Sequence, residues 1–194
     1  VSVYSAKNKK LNNQKKIILL SLISISILAA SFYMVYNTIN LNINSVTKGP
    51  VHWHTDFEFW LCGEKLDLKN PSGLFIRVGT PLLHEHNDNR IHIEGVVKEL
   101  EEINIGHFFE VVDIFADKNE FIFEDADSGE LISKDCNNKK AKLQAFLFKV
   151  TNPENTKKWA YTQTKLENFK GHVPASYETV PPGDCIIFEF DEEK

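Results

Sequence analysis

Residues 52–61 read His-Trp-His-Thr-Asp-Phe-Glu-Phe-Trp-Leu, and the character of their side chains alternates. One set of alternate positions carries Trp53, Thr55, Phe57, Phe59 and Leu61, and the other carries His52, His54, Asp56, Glu58 and Trp60. Successive side chains of a β-strand point to opposite faces, so this period of two predicts a strand with one face in a core. The two histidines lie on the face opposite that core.

A second segment, residues 90–97, has the same alternation. Ile91, Ile93 and Val97 share one face, whereas His92 and Glu94 share the other. Histidines that belonged to a core would replace members of the apolar face, and in neither segment do they. The two patterns therefore indicate a polar site on the outer face of the predicted strands.

Five of the seven histidines lie between residues 51 and 95, in the groups His-x-His, His-x-His and His-x-Glu. Imidazole is the commonest protein ligand for transition metals, and a divalent ion needs three or four such donors. The second group precedes the strand, in what reads as a polar loop that completes the coordination sphere. We therefore predict a copper or zinc site with the ligands His52, His54, His84, His86, His92 and Glu94.

Three functions are compatible with this pattern. The first, which we favour, is a metal-binding module without catalysis. The second is a metalloenzyme in which Glu94, Glu85 or Asp88 acts as general base toward a metal-bound water. The third is a metal-free surface interaction domain, in which the histidines bond to neighbouring carboxylates. A closed four-ligand site favours the first function, and an open coordination position favours the second.

Charge and motifs exclude other classes of function. The chain carries a net charge of −5 and its first 36 residues hold five lysines and no acid, so the remainder carries −10. Such an acidic domain is unsuited to nucleic acid. No P-loop, dinucleotide fingerprint or Gly-x-Ser-x-Gly occurs. The sequence identifies no protein partner.

The N-terminal part predicts a membrane anchor. Residues 17–36 contain no charge and are long enough, as a helix, to span about 30 Å of hydrocarbon. The lysines of residues 1–16 place this basic tail in the cytoplasm, and residues 37–49 read as a polar linker. The prediction is a single-pass plasma-membrane protein with an extracytoplasmic domain at 50–194. A signal peptide cleaved near Ala29-Ala30-Ser31 is the alternative.

The extracytoplasmic part reads as an α+β domain that is mainly β. Further strands are predicted at residues 65–68, 74–78, 121–123, 143–150 and 186–190, and one short helix at 103–112. Residues 151–179 are polar with little periodicity and read as a long loop. The expected architecture is an antiparallel sandwich or a β-grasp-like domain with one helix, preceded by the single transmembrane helix.

The three cysteines, Cys62, Cys136 and Cys185, have no metal-site spacing. Outside the cytoplasm a disulfide is expected, and we predict Cys136–Cys185 because it would tie the C-terminal region to the last strand. Cys62 would then be a small buried residue at a turn or a soft ligand near the histidines.

Several of these motifs resemble those of an uncharacterised family of small extracytoplasmic prokaryotic proteins that commonly have an N-terminal anchor. The matching segments are His52 to Glu58, Pro81 to Asp88, Arg90 to Gly95, Ile105 to Phe109 and Pro182 to Ile187. The resemblance supports the domain boundary and implies that the histidines form one functional set. It implies no particular activity.

Overall fold

The structure is a computed structural model of the 194-residue chain. It describes residues 2–68, 76–117, 119–124, 131–132, 135–136, 139–155, 157–174 and 183–194. The chain divides into two compact units, Val1–Asn44 and Ser45–Lys194.

The first unit is a single helix, α1 (Ser2–Asn44). Its stretch Asn13–Asn44 contains an 18-residue segment with a mean hydropathy of 2.3 and is long and apolar enough to cross a membrane. Two serines bond back to helix carbonyls: Ser26 Oγ donates to the Leu22 carbonyl and Ser31 Oγ to the Ile27 carbonyl, each at 2.9 Å. Thr38 donates in the same way to Met34. The helix therefore continues through the first eight residues of the predicted linker, whose remainder is Ser45 to Gly49.

The second unit contains thirteen strands among its described residues. They are β1 (Pro50–Leu61), β2 (Glu64–Leu66), β3 (Val78–Gly79), β4 (Leu83–Glu85), β5 (Arg90–Val96), β6 (Phe115–Asp117), β7 (Glu120–Glu124), β8 (Leu131–Ile132), β9 (Asp135–Cys136), β10 (Lys139–Lys140), β11 (Lys142–Val150), β12 (Tyr161–Lys165) and β13 (Cys185–Asp191). The short helix is α2 (Ile105–Val111), which follows a 3-10 turn at Leu100–Ile103; a second 3-10 turn is Phe169–Gly171.

The main sheet has the order β12-β11-β13-β1-β5-β4-β3, and β2 also pairs with β1. The neighbours along this order are antiparallel except β1 and β13, which run parallel, so the sheet is mixed. The prediction of a mainly β, α+β domain with one short α-helix is confirmed, and the antiparallel expectation fails at the β1–β13 pair. That pair joins the first and last strands of the unit in the middle of the sheet.

The hydrophobic core lies on one face of the main sheet, where α2 and β7 pack against it. Phe57 and Phe59 of β1 are buried, and their rings lie 5.4 Å from Phe108 and 6.0 Å from Phe109 respectively. Each buried phenylalanine contributes about 2–3 kcal/mol of transfer free energy. Asn104 begins α2 by accepting a hydrogen bond from the His107 N–H at 2.8 Å. This cap explains why the predicted helix at 103–112 begins only at Ile105.

The structure bears on the predicted loop at 151–179 and on the predicted strand at 74–78. β12 lies in the polar stretch 151–179, where no strand was predicted. Its sequence Tyr-Thr-Gln-Thr-Lys is largely exposed, so backbone pairing with β11 forms the strand without an apolar pattern. The predicted strand at 74–78 falls partly outside the described residues, and its described end begins β3 at Val78.

The disulfide joins Cys62 to Cys136, with their Cα atoms 5.3 Å apart, and corrects the predicted Cys136–Cys185 pairing. Cys62 lies beside the end of β13, since its N–H donates to the Phe190 carbonyl at 3.0 Å. Cys185 begins β13, about 17 Å away at 3.3 Å per residue. Its thiol is free, and burial, with Glu58 and Asp56 nearby, raises its pKa to about 12.

Candidate metal centre

The histidines of β1, β4 and β5 meet because these strands are neighbours. His54 lies opposite His92, and His92 lies opposite His84, so one row of three histidines crosses the sheet. In the adjacent row, His52 lies opposite Glu94. The two alternating segments found in the sequence therefore pair directly, and their polar faces form one surface.

His84 is on a strand rather than in the predicted polar loop. The side chain of Leu83 faces the core, so His84 points to the outer face, where it is completely buried. The turn before β4 is held by Thr80, whose N–H donates to the Leu83 carbonyl at 2.8 Å. Gly79, at a φ of +113°, permits this turn, because a Cβ there would lie 2.6 Å from the Leu83 oxygen.

Four potential ligands form an inner group: His84, His86, His92 and Glu94, whose ligating atoms all lie within 4.8 Å of one another. The Nε2 atoms of His84 and His86 are 3.1 Å apart. In a tetrahedral zinc site with bonds of about 2.05 Å, neighbouring donors are about 3.3 Å apart. His84 and His86 are already at this spacing, whereas Glu94 lies 3.9 Å from His84 and 4.0 Å from His92 and must move closer to hold the same ion.

Groups around the inner site orient two of its imidazoles. His86 Nδ1 lies 2.5 Å from the Ile76 carbonyl, to which it donates, so its Nε2 lone pair faces His84. His92 Nε2 lies 3.1 Å from Asp88 Oδ2, and its Nδ1 faces Glu94 Oε1 at 4.0 Å. Metal-bound histidines characteristically donate their second nitrogen to a carbonyl or a carboxylate in this way.

Two ring nitrogens of the site are buried without a hydrogen-bond partner among the described residues, Nδ1 of His84 and Nδ1 of His92. An unsatisfied buried polar atom costs about 1–3 kcal/mol. An ion bound by the inner group would satisfy the His92 nitrogen through its lone pair. His84 meets the other donors through its Nε2, so the ion would leave its Nδ1 without a partner.

Burial also sets the protonation of these histidines. Desolvation lowers the pKa of His84 to about 4, against a smaller opposing effect of Glu94. Desolvation lowers the pKa of His92 as well, and the Asp88 carboxylate opposes it. Both imidazoles are therefore neutral near pH 7, which is the form that binds metal.

The two remaining predicted ligands, His52 and His54, form an outer group with His92, and the three ligating atoms again lie within 4.8 Å of one another. The ring centroid of His54 lies 4.6 Å from that of His52 and 4.7 Å from that of His92. The structure thus divides the six predicted ligands into two groups that share His92. His52 also contacts the inner group, since its Nε2 lies 2.9 Å from Glu94 Oε1.

Glu85 and Asp88, the other two predicted general bases, make contacts that hold the turn after β4 and orient His92. Glu85 follows His84 on β4 and so faces the opposite side of the sheet, where it is buried. Its Oε1 accepts the backbone N–H groups of Asp88 at 2.7 Å and Asn89 at 3.3 Å, and burial raises its pKa. Asp88 holds His92. Of the three predicted bases, only Glu94 belongs to a ligand group.

Two contributions to the site are not evident from sequence. The Ile76 carbonyl belongs to no motif, and only the fold brings it to His86. The Asp88–His92 contact has a signal, a carboxylate four residues before a histidine, but its meaning depends on the turn between β4 and β5. Asn87 and Asn89 form that turn with positive φ angles of 66° and 56°, which asparagine tolerates.

The two other histidines lie outside both ligand groups. His107 is on the exposed side of α2, where its Nδ1 lies 3.1 Å from Glu110 Oε2. His172 follows the second 3-10 turn, and burial lowers its pKa. Neither was predicted as a ligand. Comparisons of this chain with protein-family models, with curated proteins and with solved structures find no match.

Proposed function

We propose that this protein is a membrane-anchored metal-binding module that holds one zinc or copper ion through His84, His86, His92 and Glu94. One observation carries the proposal: the four donors converge within 4.8 Å. Their orientation adds support, because outside groups hold the second nitrogens of His86 and His92.

The donor set favours zinc or copper(II). Three imidazoles and one carboxylate suit both ions, and a tetrahedral arrangement suits zinc. Thiolate ligation, which would favour copper(I), has no support at this site. Cys62, which sequence alone left as a possible soft ligand, is in a disulfide, and the high pKa of Cys185 keeps that thiol protonated.

The same geometry favours binding over catalysis. Catalytic zinc sites bind three protein ligands and keep one position for water, whereas structural sites bind four. The inner group supplies four protein ligands within reach of one ion. A metal-bound water would need one of them to leave, so the non-catalytic module is the better hypothesis.

We further propose that α1 anchors the protein in the plasma membrane, with its N-terminus in the cytoplasm and the second unit outside. The lysines that precede the apolar stretch, and their absence just after it, support this orientation. The Cys62–Cys136 disulfide supports an oxidising compartment. The motifs of β1, β4 and β5 support membership of the resembled extracytoplasmic family. The large mixed sheet with one short α-helix supports a β-grasp-like domain, whereas the separate β6-β7-β8 sheet, whose Phe121 ring lies 5.4 Å from that of Phe59, supports a sandwich.

The test is the metal content of the full-length chain, purified in detergent without a histidine tag. We expect close to one zinc or copper ion per chain in the wild type, and little in a His84→Asn/His92→Asn variant. A His107→Asn variant, altered outside both ligand groups, should keep its ion. Circular dichroism must show all three proteins folded.

The opposite results are equally informative. A folded wild type that neither contains nor takes up zinc or copper would overturn the proposal and leave the metal-free interaction domain. Equal loss of metal in the His107→Asn variant would show that the ion is bound elsewhere or nonspecifically.

A further inference from the structure

We propose that the outer group, His52, His54 and His92, is a second position for the same ion, through which the ion passes from solvent to the inner group. This inference rests on the proposed function, because it requires the inner group to bind metal. It goes further by assigning an uptake route and separate roles to the two His-x-His pairs.

The two positions exclude each other because they share His92. A neutral imidazole has one nitrogen with a free lone pair, while its other nitrogen carries a proton. In this structure the second nitrogen of His92 is engaged by Asp88. One ion at a time can therefore be bound through His92, either with His52 and His54 or with His84 and His86.

Glu94 connects the two positions. Its Oε1 lies 2.9 Å from His52 Nε2, and its Oε2 lies 3.9 Å from His84 Nε2. One carboxylate therefore faces an outer and an inner ligand with different oxygens. An ion bound through the outer group can exchange His52 and His54 for His84, His86 and Glu94 while it stays bound to His92.

The exposure of the ligands gives this transfer a direction. The side chain of His52 is 62% exposed, that of Glu94 is 39% exposed and that of His84 is 1% exposed. Hydrated ions reach the outer group through the exposed His52, although the exposed His86 also opens the inner group to solvent. The inner group offers four donors instead of three and a more buried site, where an ion–ligand interaction is stronger. The outer group captures the ion, and the inner group retains it.

The test compares zinc binding by full-length variants in detergent, measured by titration calorimetry with zinc alone. The wild type should bind one ion. A His84→Asn/His86→Asn variant should still bind one ion, roughly 10- to 100-fold more weakly, through the outer group. Adding His52→Asn and His54→Asn to that variant should abolish binding.

Kinetics test the route. Stopped-flow mixing of the apoprotein with zinc and a coloured chelator should show uptake slowed about tenfold or more by His52→Asn/His54→Asn. The equilibrium affinity should fall by a smaller factor than the uptake rate. The His107→Asn variant should match the wild type in both measurements.

Several results would overturn the inference. Loss of all binding in His84→Asn/His86→Asn would show that the outer group holds no ion, and two ions bound at once by the wild type would contradict mutual exclusion. Affinity and uptake that fall equally in His52→Asn/His54→Asn would indicate one six-ligand site. These failures leave the proposed function standing, whereas a wild type without metal removes both.

Discussion

The two faces of β1 have opposite relations to their surroundings, although their residues alternate along one strand. On the core face, Phe57 and Phe59 are buried among aromatic rings from α2 and β13. On the outer face, His52 and His54 meet polar groups of β5. The core face fixes the register of the strand, and the register then selects the partners of the histidines. Substitutions on the core face should therefore change stability, and substitutions on the outer face should change metal binding.

The largest expected effect comes from the core face. Phe59→Ala removes a buried ring that contacts Phe109, Phe121 and Phe188, and should lower the free energy of unfolding by about 3–5 kcal/mol. Denaturant unfolding of the second unit, followed by tryptophan fluorescence, measures this change. Glu58→Gln, one position away on the outer face, should change stability by no more than about 1 kcal/mol. Equal effects would mean that the two faces do not differ as described.

His84 lies on the outer face of the sheet and yet is as fully buried as the residues of the core face. Burial lowers its pKa from 6.5 to about 4 in the folded state. Between these values the unfolded chain binds a proton that the folded chain does not, so stability falls as the pH falls from about 6.5 to about 4. The loss in the metal-free protein should reach about 3 kcal/mol and then level off.

Unfolding of the chelator-treated protein at several pH values measures this dependence. The His84→Asn variant should show a smaller fall over the same pH range, with His92 responsible for part of what remains. An identical pH dependence in that variant would exclude His84 as its source.

A smaller effect should separate metal binding from folding. Asp88→Asn weakens the contact that orients His92, and should reduce zinc affinity by about 10- to 100-fold with little change in the free energy of unfolding. Zinc titration and denaturant unfolding of the same preparation measure the two quantities. Asp113→Asn, at an exposed left-handed position that asparagine tolerates, is the matched control. Unchanged affinity in Asp88→Asn would show that Asp88 does not support the ligand.

The smallest change should come from His107→Asn, which removes an exposed pair with Glu110 on α2. Stability should change by less than about 0.5 kcal/mol, and zinc affinity should not change. Thermal unfolding with and without zinc checks both. A large loss of stability would show that this end of α2 depends on the exposed pair.

The sequence predicted which side chains of a strand face the core, but it did not predict which strands pair with one another. The period of two at residues 52–61 and 90–97 correctly separated core from polar side chains, since it depends only on backbone geometry. The pairing of β1 with β13 depends on contacts between distant segments, which no local pattern contains. β4 has three residues, too few to show alternation, so His84 was assigned to a loop.

The sequence could not predict the cysteine pairing or the division of the candidate ligands into two groups, because both depend on which distant segments the fold brings together. Three cysteines allow three single pairings, and only the fold shows that Cys62 and Cys136 both lie near the end of β13. Likewise, the motifs named six candidate ligands without showing how they are grouped. Their separation into two groups follows from the cross-strand register of His92 with both His54 and His84.

The parallel pairing of β1 and β13 has a mechanical consequence. A force that pulls on the chain before β1 and after β13 acts on neighbouring strands in opposite directions along their axes. The backbone hydrogen bonds between Asp56 to Leu61 and Cys185 to Phe190 are then loaded in shear, and they must break together rather than one by one. The segments between β1 and β13 bear no load until these bonds break, so the strand that carries His52 and His54 sets the force at which the unit begins to unfold.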